Sequence, residues 1–262
     1  MANKMTLEQY KFVKSKIRKY QESLDIKDVI LEFSKDGLLN QNYKLKKGEQ
    51  ENIAIYGLEL LPETFGGRNL CPMAGECKFS CIAFSGKWNI MYNDNVLQTD
   101  FLTNIIKKRA RRTFFFNKKP KLFKELLKHE IQKLSNVNLE LGIITYFRLN
   151  VFSDINWNEL MKELVDCNFY GYTKVKSRKP LVNSHITFSD SEKSSTEEIK
   201  QKLKNNINVA VVFEERLPSE YLGYKVINGD LNDFRWKDPV PSVVGLLAKR
   251  TIGDKSSSDF FK

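Results

Sequence analysis

The chain has 262 residues, 41% of them apolar, which is enough to bury a full core, and it carries a formal net charge of +11. No apolar run approaches the ~20 residues that span a bilayer, and the N-terminus lacks an apolar signal core, so a cytoplasmic protein without a membrane segment is expected. A charge of that sign favours polyanionic partners, nucleic acid first, although a lysine-rich composition can serve solubility alone.

Residues 6 to 24 read as an amphipathic helix, with Thr6 and Gln9 at capping-box spacing and Tyr10, Val13, Ile17, Tyr20 and Leu24 recurring at helical steps. A polar connection leads to residues 52–61, Asn-Ile-Ala-Ile-Tyr-Gly-Leu-Glu-Leu-Leu, a buried strand ended by Pro62. A cysteine-bearing loop follows. From Val96 to Arg112 the pattern is helical, with Leu97, Phe101 and Ile105 on one face. Lys107, Lys108, Arg109, Arg111 and Arg112 form a basic patch beside the aromatic run Phe114 to Phe116, a candidate nucleic-acid-binding surface. The competing reading is a solvated face, because like charges at i,i+4 cost only ~0.2–0.5 kcal/mol per pair.

Pro120 opens another helix with a stripe of Leu122, Phe123, Leu126, Leu127, Ile131 and Leu134, in which His129 is expected to face solvent. The chain then alternates: strand 142–150, helix 156–165, strands 169–172 and 185–188, a helix from Ser195, and strands 208–213, 225–228 and 243–248. Such alternation predicts an α/β fold with a largely parallel sheet. Helices are missing between the last strands, so a partial or distorted (β/α) barrel is expected rather than a complete one. The domain reading is an N-terminal helix and connection over 1–40, one α/β core over 41–250 and a loose tail over 251–262.

Three of the four cysteines, Cys71, Cys77 and Cys81, fall in one glycine-framed loop with C-x5-C-x3-C spacing. Thiolates bind zinc and iron–sulfur clusters well. The fourth, Cys167, ends a helix just before a strand, at the opposite end of the sheet from a loop that follows one, and is expected to be a buried, inert thiol. Three protein ligands with one open position suit a catalytic zinc, or a [4Fe-4S] cluster whose fourth iron binds substrate or cofactor. The placement is similar to that in radical S-adenosylmethionine enzymes, which use three cysteines after the first barrel strand, but their C-x3-C-x2-C spacing differs. Three unliganded thiols in a tight loop are the plain alternative.

Several phrases of the chain occur in a characteristic order. They are residues 71–81 with the cysteines, Arg148-Leu-Asn-Val-Phe-Ser-Asp154-Ile-Asn-Trp157, Phe169-Tyr-Gly-Tyr-Thr-Lys174 and His185-Ile-Thr-Phe-Ser-Asp-Ser-Glu192. Residues 208–213, Asn228-Gly-Asp-Leu-Asn-Asp-Phe-Arg235 and Val244-Gly-Leu-Leu-Ala-Lys249 complete the set. In this order they resemble the gene product 88 domain family of phages and plasmids, a resemblance that implies a mobile-element protein but supplies no activity.

Read physically, these phrases place polar groups at successive strand ends: Asn150, Ser153 and Asp154; Tyr172, Thr173 and Lys174; Ser189 and Glu192; Asp230, Asp233 and Arg235; and Lys249. In a parallel sheet they would converge on the face that holds the cysteine loop. Lys174, Arg235 and Lys249 would hold phosphate or carboxylate groups, with Asp154, Asp230 and Asp233 orienting substrate or moving protons. Local alternatives exist: Asp154 and Asn156 suit helix caps, and Asn228-Gly229-Asp230 suits a turn.

The sharpest expectation is an enzyme with a cysteine-bound metal or iron–sulfur centre, possible co-substrate S-adenosylmethionine, acting on a nucleic acid or nucleotide. The alternative is a non-enzymatic DNA-binding protein with structural zinc or plain thiols. A Mg²⁺ nuclease on Asp154, Asp230 and Asp233 leaves the cysteines unexplained. A nickase using Tyr172 lacks a two-histidine motif, since His129 and His185 are the only histidines.

Overall fold

The computed structural model describes residues 5–46, 52–84, 102–248 and 262. Leu97, Phe101, Lys249 and nearly all of the expected tail lie outside the described residues. Two N-terminal helices come first, α1 (Leu7–Glu22) and α2 (Ile26–Asp36). The Thr6/Gln9 capping box forms as the spacing predicts, each side chain bonding to the other's backbone N–H. Helix α2 was not expected; it starts on Asp25, whose carboxylate accepts from the Lys27 N–H, and buries Val29 and Phe33.

Strand β1 (Leu39–Asn40) and the single-turn helix α3 (Tyr43–Lys46) precede β2 (Ile53–Leu58). Two long helices follow, α4 (Asn104–Lys118) and α5 (Pro120–Glu140), then β3 (Ile144–Arg148), α6 (Asn158–Glu163), β4 (Asn168–Thr173) and β5 (Ser184–Ser189). The chain continues through α7 (Thr196–Lys204), β6 (Val209–Phe213), the hairpin of β7 (Glu220–Tyr221) and β8 (Tyr224–Asn228), and β9 (Val243–Leu247). Among the described residues, no helix is long and apolar enough to cross a membrane.

The fold is α/β, built on one nine-stranded, mostly parallel open sheet in the order β1-β2-β3-β4-β5-β6-β9-β8-β7. Strands β2 to β6, β9 and β8 run parallel; β1 and β7 are short antiparallel edges. Five consecutive strands step in one direction as in a barrel wall, but the wall does not close. Between β4 and β5 there is a loop where a helix would be expected.

Strand alternation gives the sheet two chemically different faces. Register aligns Phe147 with Phe169 and Phe188 with Val209, and these lie in apolar clusters packed under α5, α6 and α7. The opposite parity carries Arg148, Asn150, Tyr170, Tyr172, His185, Thr187 and Ser189, with Tyr170 opposite His185 and Tyr172 opposite Thr187. The return from β8 covers part of this inner face, where Trp236 stacks on Tyr146 with ring centroids 3.5 Å apart. The N-terminal helices are built into the same cores: α1 contributes Tyr10, Val13 and Ile17 to a cluster with Phe65 and Phe84, and α2 packs with Phe115.

Candidate functional site

The segment after β2 holds the cysteines at the carboxyl edge of the parallel sheet. Gly67 takes φ +98, a left-handed turn that L side chains resist. Asn69 Oδ1 accepts from the Cys71 N–H at 2.9 Å, and the Asp154 N–H donates to Leu70 O at 2.8 Å. Two 3₁₀ turns, Glu76–Lys78 and Ile82–Phe84, carry the loop back, and Ala83 and Phe84 anchor its end in the core. Glu192 Oε1 accepts from the Glu76 N–H at 2.9 Å. A Cβ on Gly75 would lie 1.6 Å from that oxygen, so glycine lets the loop approach the carboxylate.

Cys71, Cys77 and Cys81 line one cavity of about 200 Å³ together with Arg148, Asn150, Ser153, Asp154, Tyr172, Lys174 and Ser189. The expected convergence of the loop and the strand ends of β3, β4 and β5 therefore holds for these residues. Cys167 is elsewhere, buried in the apolar cluster with Leu164 and Phe169, as its position before β4 requires.

The match to the gene product 88 family model runs over residues 31–261, which takes in the cysteine loop and the whole parallel sheet. The chain belongs to the gene product 88 family. No curated protein and no solved structure matches it.

In this gene product 88 protein the three loop cysteines are half-buried and crowded. Burial, together with the neighbouring Cys77 and Asp154 charges, pushes the Cys71 thiol up to about 12; burial and Cys77 push Cys81 up as well. The Cys71 thiol donates to Phe152 O at 3.4 Å. Among the described residues no group of three His, Cys, Asp or Glu side chains is placed to hold a metal ion. Thus no single-ion site is preformed.

The polar residues sort into those that face the cavity and those that build it. Lys174 Nζ donates to Ser189 Oγ at 3.1 Å and to Asp190 O at 3.2 Å, which holds a cation at the wall. Tyr172 has a buried hydroxyl with no hydrogen-bond partner among the described residues, and burial makes its phenol a much weaker acid than an ordinary tyrosine, so it stays protonated. Asn150 and Ser153 tie the turn after β3: Asn150 Oδ1 accepts from Ser153 Oγ, the Ile155 N–H and Trp157 Nε1. Asp154 does not cap a helix. Its carboxylate accepts from Thr173 Oγ1 and the Lys174 N–H, each at 2.8 Å, and from Arg178 Nη1. Asn156 turns back onto the Asn158 N–H, so α6 starts without the capping box its sequence suggests.

Four expected residues lie outside the cavity lining, the first being Glu192, which supports the cysteine loop through the Glu76 N–H. Asp233 is buried and accepts from Arg148 Nη1 and from Tyr170 OH at 2.6 Å. Asp230 Oδ2 accepts from the Leu247 N–H at 2.7 Å and so ties the loop after β8 to the end of β9. Arg235 is buried, donates to Asn232 O at 2.8 Å and pairs with Asp238. Asp154, Asp230 and Asp233 therefore have separate partners and do not form a shared acidic centre.

Arg148 is the residue the sequence reading passed over. It is 4% exposed, lies over the Tyr172 ring at 4.8 Å, is oriented by Asp233 and lines the cavity. Its signal was available: it stands two positions before Asn150, and period two puts both on one face.

The basic patch on α4 is divided: Arg109 and Arg112 are buried, whereas Lys107, Lys108 and Arg111 are partly exposed. Arg109 is buried, pairs with Glu59 at 2.7 Å and donates to Ala83 O; Arg112 is buried and donates to Glu59 O. Arg111 makes a two-pronged pair with Glu32, Lys108 reaches Asp36 and Lys107 lies over the Tyr20 ring. Phe115 and Phe116 are core residues. Taking a charge out of water costs several kcal/mol, so Arg109 and Arg112 stay inside only because Glu59 and carbonyls meet them.

Proposed function

We propose that this protein is an enzyme in which Cys71, Cys77 and Cys81 hold an iron–sulfur cluster, acting on a nucleotide or nucleic acid bound at the cavity, with S-adenosylmethionine as co-substrate in its sharpest form. The observation that carries the reading is the single cavity shared by three loop cysteines and the polar ends of three parallel strands. The donor chemistry fits: three thiols are crowded in one loop, and the Cys71 and Cys81 protons, held by burial and by the charge of the neighbouring Cys77, would be displaced by a cationic centre. A cluster takes one thiolate on each of separate irons, which three cysteines in one loop can supply. When bound, such a cluster supplies one-electron chemistry.

The chain's own groups would then bind and orient substrate. Lys174 and Arg148 offer positive charge for phosphate or carboxylate oxygens, Arg148 with its plane fixed by Asp233. Tyr172, kept protonated, donates a hydrogen bond and does not serve as a base. Asp154 acts as a positioning residue that ties the cysteine loop to β3 and β4.

The test is purification and reconstitution without oxygen, followed by iron and sulfide analysis and electron paramagnetic resonance. The expected result is a brown protein with about four irons per chain, lost in Cys71→Ser, Cys77→Ser and Cys81→Ser and kept in Cys167→Ser. A colourless, iron-free protein after reconstitution sinks the reading. The non-enzymatic DNA-binding alternative draws on the net charge of +11, but two of the five α4 cations on which it was placed, Arg109 and Arg112, are buried.

A further inference from the structure

A second cavity, about 600 Å³, lies against the cysteine loop and shares Asp154 with the first. Arg68, Phe116, Asn156, Arg178 and Lys179 are among its walls, and Asp154 is the only carboxylate in its lining. That carboxylate is already engaged by Arg178, Thr173 and the Lys174 N–H. Arg68 and Lys179 are exposed, and neither has an ion-pair partner among the described residues; the Arg68 guanidinium rests 6.0 Å from the Phe116 ring centroid. Three cations against one carboxylate leave the groove positive, whereas on α4 the cations Lys108, Arg109 and Arg111 are matched by Asp36, Glu59 and Glu32.

From this contrast we propose that the groove walled by Arg68, Arg178 and Lys179 binds the phosphates of a single-stranded nucleotide chain. Its size falls within the ~300–1,000 Å³ of ordinary ligand clefts. Cys71 lines one cavity and Pro72 the other, so a chain in the groove runs past the cysteine cavity at Asp154. The inference rests on the proposed function only for what the chain is presented to; binding itself needs no metal.

The experiment measures fluorescence anisotropy of a labelled oligothymidylate with the full chain, with circular dichroism as a check on folding. R68A/K179A should weaken binding about tenfold or more near ~0.1 M salt and lower the log–log salt slope by about 1.4, at ~0.7 per lost phosphate contact. K107A/K108A on α4 should leave both unchanged. Thymidine monophosphate should compete only weakly, as expected when several phosphates are held together. Unchanged binding by R68A/K179A, loss of binding in K107A/K108A, or monophosphate competition as strong as the oligomer's would each overturn the groove. The triple Cys71/Cys77/Cys81→Ser variant should bind as the wild type does. Failure of the iron–sulfur reading and failure of the groove are thereby separated.

Discussion

Arg148 and Asp233, one at the end of β3 and the other in the return from β8, form a buried ion pair in which Arg148 Nη1 donates to Oδ1 at 3.1 Å and to Oδ2 at 2.8 Å. Their side chains are 4% and 2% exposed. Breaking such a pair from one side strands the other charge in a medium that cannot solvate it.

Asp233→Ala is therefore expected to cost about 3–5 kcal/mol of stability, read as a fall in denaturation midpoint. Asp230→Ala, which removes the exposed hydrogen bond to the Leu247 N–H, should cost only about 1 kcal/mol. Equal effects would show that Asp233 is not the buried counter-ion described.

Glu59 supplies an acid-sensitive contribution. Burial alone would raise its carboxyl, but the Arg109 charge and hydrogen bonds from Asn42 and Arg109 outweigh that and hold it below the usual range. A glutamate in the unfolded chain titrates near ~4.3. The pair's stability is thus fully present above that pH and is lost as pH falls through the lower folded value. Urea titrations across pH 2 to 7 should show Glu59→Gln already destabilised by about 3–5 kcal/mol at neutral pH and with a shallower loss in acid than the wild type.

The metal-free Cys71 thiol should be a poor nucleophile. With Cys71 pushed up to about 12, only about one molecule in ten thousand carries the thiolate at pH 8. Alkylation of Cys71 by iodoacetamide, followed by mass spectrometry, should be about a thousandfold slower than that of a free cysteine, and should become fast on unfolding. Rapid labelling of the folded protein would count against the buried, crowded loop.

Gly75 and Glu192 should be coupled. The oxygen that accepts from the Glu76 N–H occupies the space a Gly75 Cβ would need. Glu192→Ala should cost about 1–2 kcal/mol by removing a charged acceptor, and Gly75→Ala about 1–3 kcal/mol by crowding it. In the Glu192→Ala background Gly75→Ala should cost little, giving a coupling of about 1 kcal/mol or more in a double-mutant cycle. Strict additivity would remove Glu192 from the loop's support.

The parallel strands were legible because each is a short apolar run of β-branched and aromatic residues bounded by turn signals, as in Val209 to Phe213. Capping at Thr6 and Ser195 was legible too, since it depends on residues three apart. Helix α2 was missed: its buried stripe is short and lies between polar stretches. The aromatic run on α4 was assigned to a surface because periodicity says which residues share a face, not what that face meets; Phe115 and Phe116 meet Phe123. Leu122, placed in the apolar stripe of α5, is 42% exposed for the same reason.

By itself the sequence determined the α/β alternation, the three-cysteine loop beyond the first parallel strand, and the parity that sets Tyr172 and Lys174 on one face. These follow from local spacing and from the fixed two-residue period of a strand. Only the tertiary structure decided which charges are spent inside. Arg109, Arg112, Asp233 and Arg235 read as surface or site residues until Glu59, Arg148 and Asp238 are brought to them from distant parts of the chain. A charge declares its sign in the sequence, but its partner and its solvent are set by packing.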